Sequence, residues 1–327
     1  MSDLTSSVLI PSFRRPGRLA GCLESLKAQK TPPGEVIVVW QADDLATRDA
    51  AEEFHRRTPF PLRVLHSPEA GVVAAENTAL DAAVGQIILL IDDDAVAPPD
   101  WVSRHLAHYA DPTVGAVGGS ADNHRPDGLP FVARNVEPTG KLTWYGRVIG
   151  NMYDQVPEWR SRPPQEGDHL VGYNMSLRRE AFDRFEARLR PYWQFFEGEA
   201  CLQVKSRGYR ILVDFANVVE HYPTNLVYFP GRDGNLRIKF YHGAYNVAFA
   251  LAKHSPWTLR PARLLYLLGI GSMTAPGLLA FCVALRRFGH PRRELGIFAQ
   301  TVRYNLAGWR AGARARGRAA AARRSAP

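Results

Sequence analysis

The chain has 327 residues, of which 46% are hydrophobic and 22% charged, enough for one large domain or two modest ones. The three cysteines, Cys22, Cys201 and Cys282, lie far apart without metal-ligand spacing, which argues against a disulfide framework and fits a reducing compartment. The net charge of +9 is concentrated in residues 286–327, which hold 11 of the 41 basic residues and one of the 32 acidic residues; specific nucleic-acid binding by the nearly neutral remainder is not expected.

The first 120 residues alternate between short apolar strands and helices. No secretory signal is predicted at the start, because no basic region precedes the first apolar run. Five strands are predicted, at Ser7–Pro11, Glu35–Trp40, Leu62–Leu65, Ile87–Ile91 and Val114–Gly119. Helices are predicted from Pro16, over Thr47–Thr58, over Val73–Ala83 and from Pro98 to Tyr109. Strands separated by helices of about ten to fifteen residues indicate an α/β fold with a doubly wound, mostly parallel sheet.

Regular patterns fade over residues 120–169, which are rich in proline, glycine and aromatic residues. Order returns at Leu170, with helices predicted from Arg179 and over Glu199–Arg207. Strands at Tyr209–Val213 and Asn217–His221 then complete the domain.

The most informative segment is the strand Ile87–Ile91 and the three carboxylates that follow it, Asp92, Asp93 and Asp94. An uninterrupted apolar strand is typical of a parallel sheet buried on both faces. Open sheets of this kind bind ligands beyond the carboxyl ends of their strands. Clustered carboxylates at that edge predict a divalent cation, although a solvated acidic turn is the simpler interpretation of an aspartate-rich loop alone.

Six motifs, in order, resemble the family-2 glycosyltransferases of the GT-A fold. The motifs are Val8–Pro16, Gly71–Asn77, Asp92–Asp94, Gly172–Glu180, Phe196–Glu199 and Gly208–Ile211 followed by His221. The resemblance covers about Ser7 to His221. It implies an inverting enzyme that moves a sugar from a nucleotide diphosphate donor to an acceptor hydroxyl.

The resemblance also implies a metal site and a general base. Asp94 would ligate Mn²⁺ or Mg²⁺, Asp92 would reach the metal or the donor ribose, and His221 would be a further metal ligand. A packed or surface role is the alternative for a single histidine such as His221. Glu197 would be the base that accepts the acceptor proton, and Glu199 would bind the acceptor or serve as the alternate base. Acids near a helix N-terminus can equally serve only to stabilise the helix.

Further residues are expected to contact the nucleotide donor. By the same resemblance they are Pro11, Ser12, Phe13, Asp43, Asp44, Asn77, Asp92 and Asp93. Two departures from the family pattern stand out. The acids after the second strand come a few residues late, and Glu76 replaces the usual arginine before Asn77. Arg14, Arg15 or a residue within 237–242 could take over the phosphate contact.

The C-terminal third suggests membrane association. Leu264–Leu285 has 22 residues without a charge, long enough to span a bilayer, although glycine and proline interrupt it. A single span would place the basic end outside, against the positive-inside bias, so an interfacial or re-entrant segment, or a hairpin completed by Leu295–Leu306, fits better. A buried pair of globular helices is the alternative. The arginine-rich end favours an anionic membrane surface.

The sequence therefore predicts four regions. They are a GT-A catalytic domain at 1–225, a helical connector at 226–262, membrane-associated helices at 263–310 and a disordered basic tail at 311–327. The expected partners are a nucleotide-diphosphate sugar, a glycan or lipid-linked acceptor and the anionic membrane. The expected location is the cytoplasmic face of the cell membrane, peripheral or C-terminally anchored. A sugar-nucleotide nucleotidyltransferase and a catalytically silent, membrane-docked scaffold remain the alternative functions.

Overall fold

The computed structural model describes residues 4–124, 137–150, 157–190, 195–223 and 236–325. The chain forms two compact units. Unit 1 consists of Met1–Lys141, Ile149–Ala187 and Ala200–Leu226, and unit 2 of Leu142–Val148, Arg188–Glu199 and Val227–Pro327.

Unit 1 is built around a nine-stranded sheet. In chain order, the strands of the described residues are β1 (Ser6–Ser12), β2 (Glu35–Gln41), β3 (Leu62–Ser67), β4 (Ile87–Leu90), β5 (Ala95–Val96), β6 (Val114–Asn123), β7 (Lys141–Leu142), β8 (Val148–Ile149), β9 (Gln165–Glu166), β10 (Met175–Arg178) and β11 (Arg210–His221). The sheet order is β3-β2-β1-β4-β10-β6-β11-β5, β9 pairs with β11, and β7 and β8 form a separate ribbon. The predicted α/β fold with a mostly parallel sheet is confirmed.

Helices alternate with the strands as predicted. They are α1 (Pro16–Lys27), α2 (Leu45–His55), α3 (Val72–Ala82), α4 (Trp101–His108) and α5 (Phe196–Ser206). Local chemistry fixes their starts: Pro16 occupies the first turn of α1, and the Asp44 side chain accepts a hydrogen bond from Thr47 N at the start of α2. Their apolar faces pack on the sheet and include the fully buried Leu19, Leu23 and Phe54.

Strand β10 departs from the alternating pattern, because it is inserted antiparallel between β4 and β6. The helix predicted from Arg179 is only a 3-10 turn over Arg179–Ala181. Phe182 returns to an extended backbone, and both Phe182 and Phe185 are buried, so this segment is anchored by apolar side chains instead of continuing as a helix.

Strand β11 contains an irregularity between Val213 and Val218, where its register against β6 shifts. Ser120 Oγ donates to the carbonyl of Phe215 at 3.1 Å, which holds the irregular stretch against β6. A Cβ at Gly119 would lie 2.3 Å from the Asn217 carbonyl oxygen, so only glycine permits this close approach.

Unit 2 is helical in its C-terminal part. Its helices there are α6 (Leu236–His254), α7 (Arg260–Leu265), a π-helical turn at Tyr266–Ile270, α8 (Leu278–Phe288) and α9 (Pro291–Ser325). α6 and α9 pack closely, since a Cβ at Gly308 would lie 2.2 Å from the Tyr245 carbonyl oxygen.

The long helix α9 corrects the predicted disordered tail from residue 311, because it continues to Ser325. The tail is rich in alanine and arginine, which both have high helix propensity, and the prediction weighed only its charge. Among the described residues, no helix combines the length and the apolar character needed to cross a membrane.

Candidate metal and donor site

The three predicted metal ligands meet at the carboxyl edge of the sheet in unit 1. The aspartates follow β4 directly and lead into β5, whose Ala95 lies opposite His221 in the antiparallel pair with β11. His221 is also paired with Asn123 at the end of β6. Strand register therefore brings the histidine beside Asp94, although they are far apart in the sequence.

The ligand atoms of Asp92, Asp94 and His221 all lie within 4.8 Å of one another. His221 Nε2 is 3.3 Å from Asp94 Oδ1 and 4.0 Å from Asp92 Oδ2. Asp94 Oδ1 is buried and has no hydrogen-bond partner among the described residues, as expected for an oxygen whose partner is a cation. Two carboxylates and one imidazole fit Mn²⁺ well and Mg²⁺ less closely.

Asn123 orients the histidine for this role. Its side-chain oxygen lies 2.7 Å from His221 Nδ1, and an amide oxygen only accepts hydrogen bonds, so Nδ1 donates to it and Nε2 is the ring nitrogen that faces the two aspartates. The Tyr173 ring stacks on the imidazole at 4.6 Å between centroids. This role of Asn123 is not predicted from the sequence, where only its position at the end of a strand could have indicated it.

Asp93 points into unit 1 and is fully buried. Ser12 Oγ donates to Asp93 Oδ2 at 2.6 Å, and Arg15 Nη2 lies 2.6 Å from Asp93 Oδ1. Burial raises the pKa of Asp93 to about 7, against the opposing positive charge of Arg15. These contacts assign Asp93 and Ser12 to the support of the site, and their predicted donor contacts stay predictions.

Arg15 also pairs with Asp94 Oδ2, leaving Oδ1 for a cation. Burial would raise the pKa of Asp94, but nearby His221 and Arg15 outweigh it and keep that pKa below its ordinary value. Asp94 is therefore ionised, which is the form in which a carboxylate could ligate a cation.

The other predicted donor contacts follow β1 and β2. Pro11 and Phe13 are buried, and the Arg14 guanidinium lies over the Phe13 ring at 4.9 Å. Arg14 Nη2 is 3.3 Å from Asp43 Oδ1, and the Asp43 side chain is 81% exposed, so it is open to a ligand. Asp44 is buried and receives hydrogen bonds from the backbone of Arg14 and α2, a structural role that the sequence did not predict.

The Asn77 side chain likewise makes hydrogen bonds that stabilise the fold. Its Nδ2 donates to the Phe185 carbonyl at 2.9 Å, and its Oδ1 accepts from Phe185 N at 3.0 Å. The amide thus ties α3 to the segment after β10. Its predicted donor contact stays a prediction.

The two predicted catalytic glutamates lie in the first turn of α5 and belong to unit 2. Glu197 is partly exposed, whereas Glu199 is fully buried. Glu199 Oε1 accepts hydrogen bonds at 2.6 Å from both Lys253 Nζ and His254 Nε2. Burial would raise the pKa of Glu199, but His254 and Lys253 outweigh it and lower that pKa. A buried, doubly paired carboxylate is a weak base, so this environment favours Glu197 for proton transfer.

Residues 7–185 match the family model described as Glycosyl transferase family 2, more than half of the chain. The chain belongs to glycosyl transferase family 2. The resemblance drawn from the six motifs is thereby confirmed.

Two named relatives illustrate the family match. The succinoglycan biosynthesis protein ExoM of Rhizobium meliloti is 28% identical over 175 residues, 52% of this chain and 50% of that protein. The glycosyltransferase AglE of Haloferax volcanii is 26% identical over 124 residues, 37% of this chain and 41% of that protein. The chain thus spans half or less of the length of these relatives.

Solved structures share the fold of this family-2 protein. The mannosyltransferase PcManGT of Pyrobaculum calidifontis has a TM-score of 0.56 and 18% identity, over 94% of this chain and 87% of that one. TarS of S. aureus has a TM-score of 0.55 and 13% identity, over 97% and 92% of the respective chains. At these identities the likeness establishes the GT-A fold.

Proposed function

We propose that this family-2 protein is an inverting, metal-dependent glycosyltransferase that moves a sugar from a nucleotide diphosphate to an acceptor hydroxyl. The carrying observation is the convergence of Asp92, Asp94 and His221 within 4.8 Å at the sheet edge, where the buried Asp94 Oδ1 faces His221 Nε2 at 3.3 Å. PcManGT, which shares the fold, is in complex with GDP-Man and Mn²⁺. ExoM is a succinoglycan biosynthesis protein by name, which supports polysaccharide as the product class.

The chain's own residues would prepare the donor side of the reaction. Asp92, Asp94 and His221 would hold Mn²⁺ or Mg²⁺, which when bound neutralises negative charge on the departing diphosphate. Arg15 fixes the orientation of Asp94 through a direct ion pair. Its guanidinium side chain is 19% exposed, so it can also supply the phosphate contact for which the family usually has an arginine where Glu76 stands.

Glu197 is the proposed general base on the acceptor side. It would accept the proton of the attacking hydroxyl as the new glycosidic bond forms. Glu199 would stabilise this region of unit 2 through Lys253 and His254. The proposed acceptor is a glycan or a lipid-linked sugar of the cell envelope.

The experiment screens nucleotide sugars for hydrolysis and transfer with Mn²⁺ or Mg²⁺, using the whole chain and the variants Asp94→Ala and Glu197→Gln. Both variants should lose transfer while retaining a cooperative thermal transition. Asp94→Ala should also lose the thermal stabilisation that Mn²⁺ with a nucleoside diphosphate gives the wild type. The exposed Asp49→Asn, which removes a surface acid that pairs with Arg48, is the matched control and should behave as wild type.

Two results would contradict the proposal. Near-full transfer by either variant would remove that residue from its role. A wild-type protein that binds Mn²⁺ and nucleotide but turns over no donor would instead favour the catalytically silent scaffold.

A further inference from the structure

Helix α8 in unit 2 has its apolar side facing outward. Leu278 is 55% exposed, Leu279 56% and Val283 46%, and Cys282 is exposed as well. These positions follow the i, i+1, i+4, i+5 pattern and therefore share one face of the helix. Ala284 is the only fully buried residue of α8. An amphipathic helix of a protein surrounded by water normally shows the opposite arrangement.

Isolated exposed apolar side chains are common on proteins. Here, however, further apolar side chains are exposed before α8, at its end and at the start of α9. The additional residues are Ile270 at 50%, Met273 at 53%, Phe288 at 47% and Leu295 at 55%. Together with the four residues of α8 they form what we call the α8 face.

Positive charge borders the α8 face. Arg286, Arg287, Arg292 and Arg293 are all exposed, at the end of α8 and the start of α9. Glu294 is the only acidic residue after His254 in the whole sequence, and it is only 7% exposed. The border of the α8 face is thus cationic and carries almost no compensating acid.

We infer that the α8 face docks on the anionic surface of a lipid bilayer, with its apolar side chains at the boundary of headgroups and acyl chains and the arginines on lipid phosphates. Eleven residues of α-helix are about 16 Å long, too short to cross a hydrocarbon core of about 30 Å, so α8 would lie in the plane of the interface. Charge complementarity favours lipid over a second copy of the chain. An isologous pairing of this face would bring two sets of four arginines together.

This inference is independent of the sugar-transfer proposal, because none of its residues belongs to the metal and donor site. It also moves the predicted membrane contact. From the sequence, the membrane contact is expected along the whole apolar segment and the disordered basic tail. The inference from the structure limits this contact to the α8 face and the four arginines beside it.

The first test is flotation of the purified full chain with vesicles of phosphatidylcholine alone or mixed with phosphatidylglycerol. The apolar variant Leu278→Gln/Leu279→Gln/Val283→Gln should weaken binding to the anionic vesicles by about tenfold or more. The charge variant Arg286→Gln/Arg287→Gln should weaken it by about fivefold for each arginine removed, and added salt should have a similar effect.

The matched control is Leu45→Gln/Val84→Gln in unit 1, which replaces side chains that are 51% and 78% exposed and are not part of the α8 face. This variant should float as the wild type does. Donor hydrolysis should be unchanged in all three variants, which separates this test from that of the sugar-transfer proposal.

A second test needs no substitution in the α8 face. Cys282 is exposed, whereas Cys22 and Cys201 are buried, so a polarity-sensitive thiol fluorophore should label Cys282 selectively. Its emission should shift to the blue with anionic vesicles and not with phosphatidylcholine alone. The same fluorophore on Val84→Cys in a Cys282→Ser background should not respond.

Three results would overturn the inference. They are unchanged flotation of the apolar variant, no spectral response at Cys282, and a wild-type dimer by light scattering that the apolar variant converts to a monomer. The last result would assign the α8 face to a second copy of the chain.

Discussion

Replacing Glu199 by glutamine should strongly destabilise unit 2 without removing a catalytic group. The carboxylate is fully buried and accepts two hydrogen bonds at 2.6 Å on one oxygen, from Lys253 and His254. The Lys253 side chain is only 16% exposed and that of His254 only 9%, so both would be left without their charged partner. Breaking such a buried pair from one side costs about 3 to 5 kcal/mol.

The assay is equilibrium unfolding in urea, followed by far-ultraviolet circular dichroism. Because the pKa of Glu199 is lowered in the folded protein, its stabilisation is present above the ordinary glutamate pKa and is lost as the pH falls through the folded value. The difference between wild type and Glu199→Gln should therefore shrink on acidification. Adding Lys253→Met to Glu199→Gln should cost less than the sum of the two single changes.

The matched control is Glu53→Gln, which removes an exposed ion pair with Arg56 and should leave the urea midpoint unchanged. A loss of less than about 1 kcal/mol in Glu199→Gln would refute the reasoning that this carboxylate neutralises the buried Lys253 and accepts a hydrogen bond from the buried His254. Under folding conditions, Glu199→Gln should also retain far more transferase activity than Glu197→Gln. An equal loss of transferase activity in both variants would instead favour Glu199 as the catalytic base.

Three further predictions follow from single contacts. Asn123→Ala should weaken Mn²⁺ binding by about ten- to a hundredfold in a calorimetric titration, since His221 loses the acceptor that fixes its tautomer; unchanged affinity would show that the contact is dispensable. Gly308→Ala should lower the free energy of unfolding by about 1 to 3 kcal/mol, because its Cβ would meet a backbone carbonyl of α6 at 2.2 Å, whereas Gly317→Ala, with open space, should be neutral or stabilising. Burial lowers the pKa of His105 to about 4, so its contribution to stability is present above the ordinary histidine pKa and falls by about 2 kcal/mol between about pH 7.5 and 5. His105→Gln should flatten that part of the curve of urea midpoint against pH, and a curve as steep as that of the wild type would contradict the assignment.

The central part of the fold could be predicted because the local sequence patterns there agree with the alternating order of strands and helices. The apolar run Ile87–Ile91 and the helix from Pro16 were correctly recognised as a buried strand and a crossover helix. β10 could not be predicted as an antiparallel insertion between β4 and β6, because strand direction depends on long-range pairing. The helix wrongly predicted from Arg179 shows the same limit, since burial of Phe182 and Phe185 decides that segment.

The meeting of the candidate metal ligands could be predicted from the sequence, whereas the residues that contact them could not. Asp92, Asp94 and His221 stand at strand ends, where the topology of a parallel sheet collects functional groups. The partners that orient them, Asn123 and Arg15, became apparent only from strand register and side-chain distances. Asn123 has no sequence pattern that distinguishes it from a surface amide. Arg15 lies in the Val8–Pro16 motif, but that motif does not indicate its pairing with Asp93 and Asp94.

The shift of register in β11 makes the position of the His221 side chain depend on the number of residues in the irregular stretch before it. Between Val213 and Val218 this strand advances five positions while β6 advances two, from Gly118 to Ser120. Side chains alternate across a strand, so with the register before Val213 kept, one residue more or fewer in 214–217 would turn His221 to the opposite face of the sheet. One residue more would put Glu220 in its place, and one residue fewer would put Tyr222 there. A change of two residues would turn the imidazole back. The position of His221 beside Asp92 and Asp94 thus depends on the length of a short irregular stretch that lies outside the three candidate ligands.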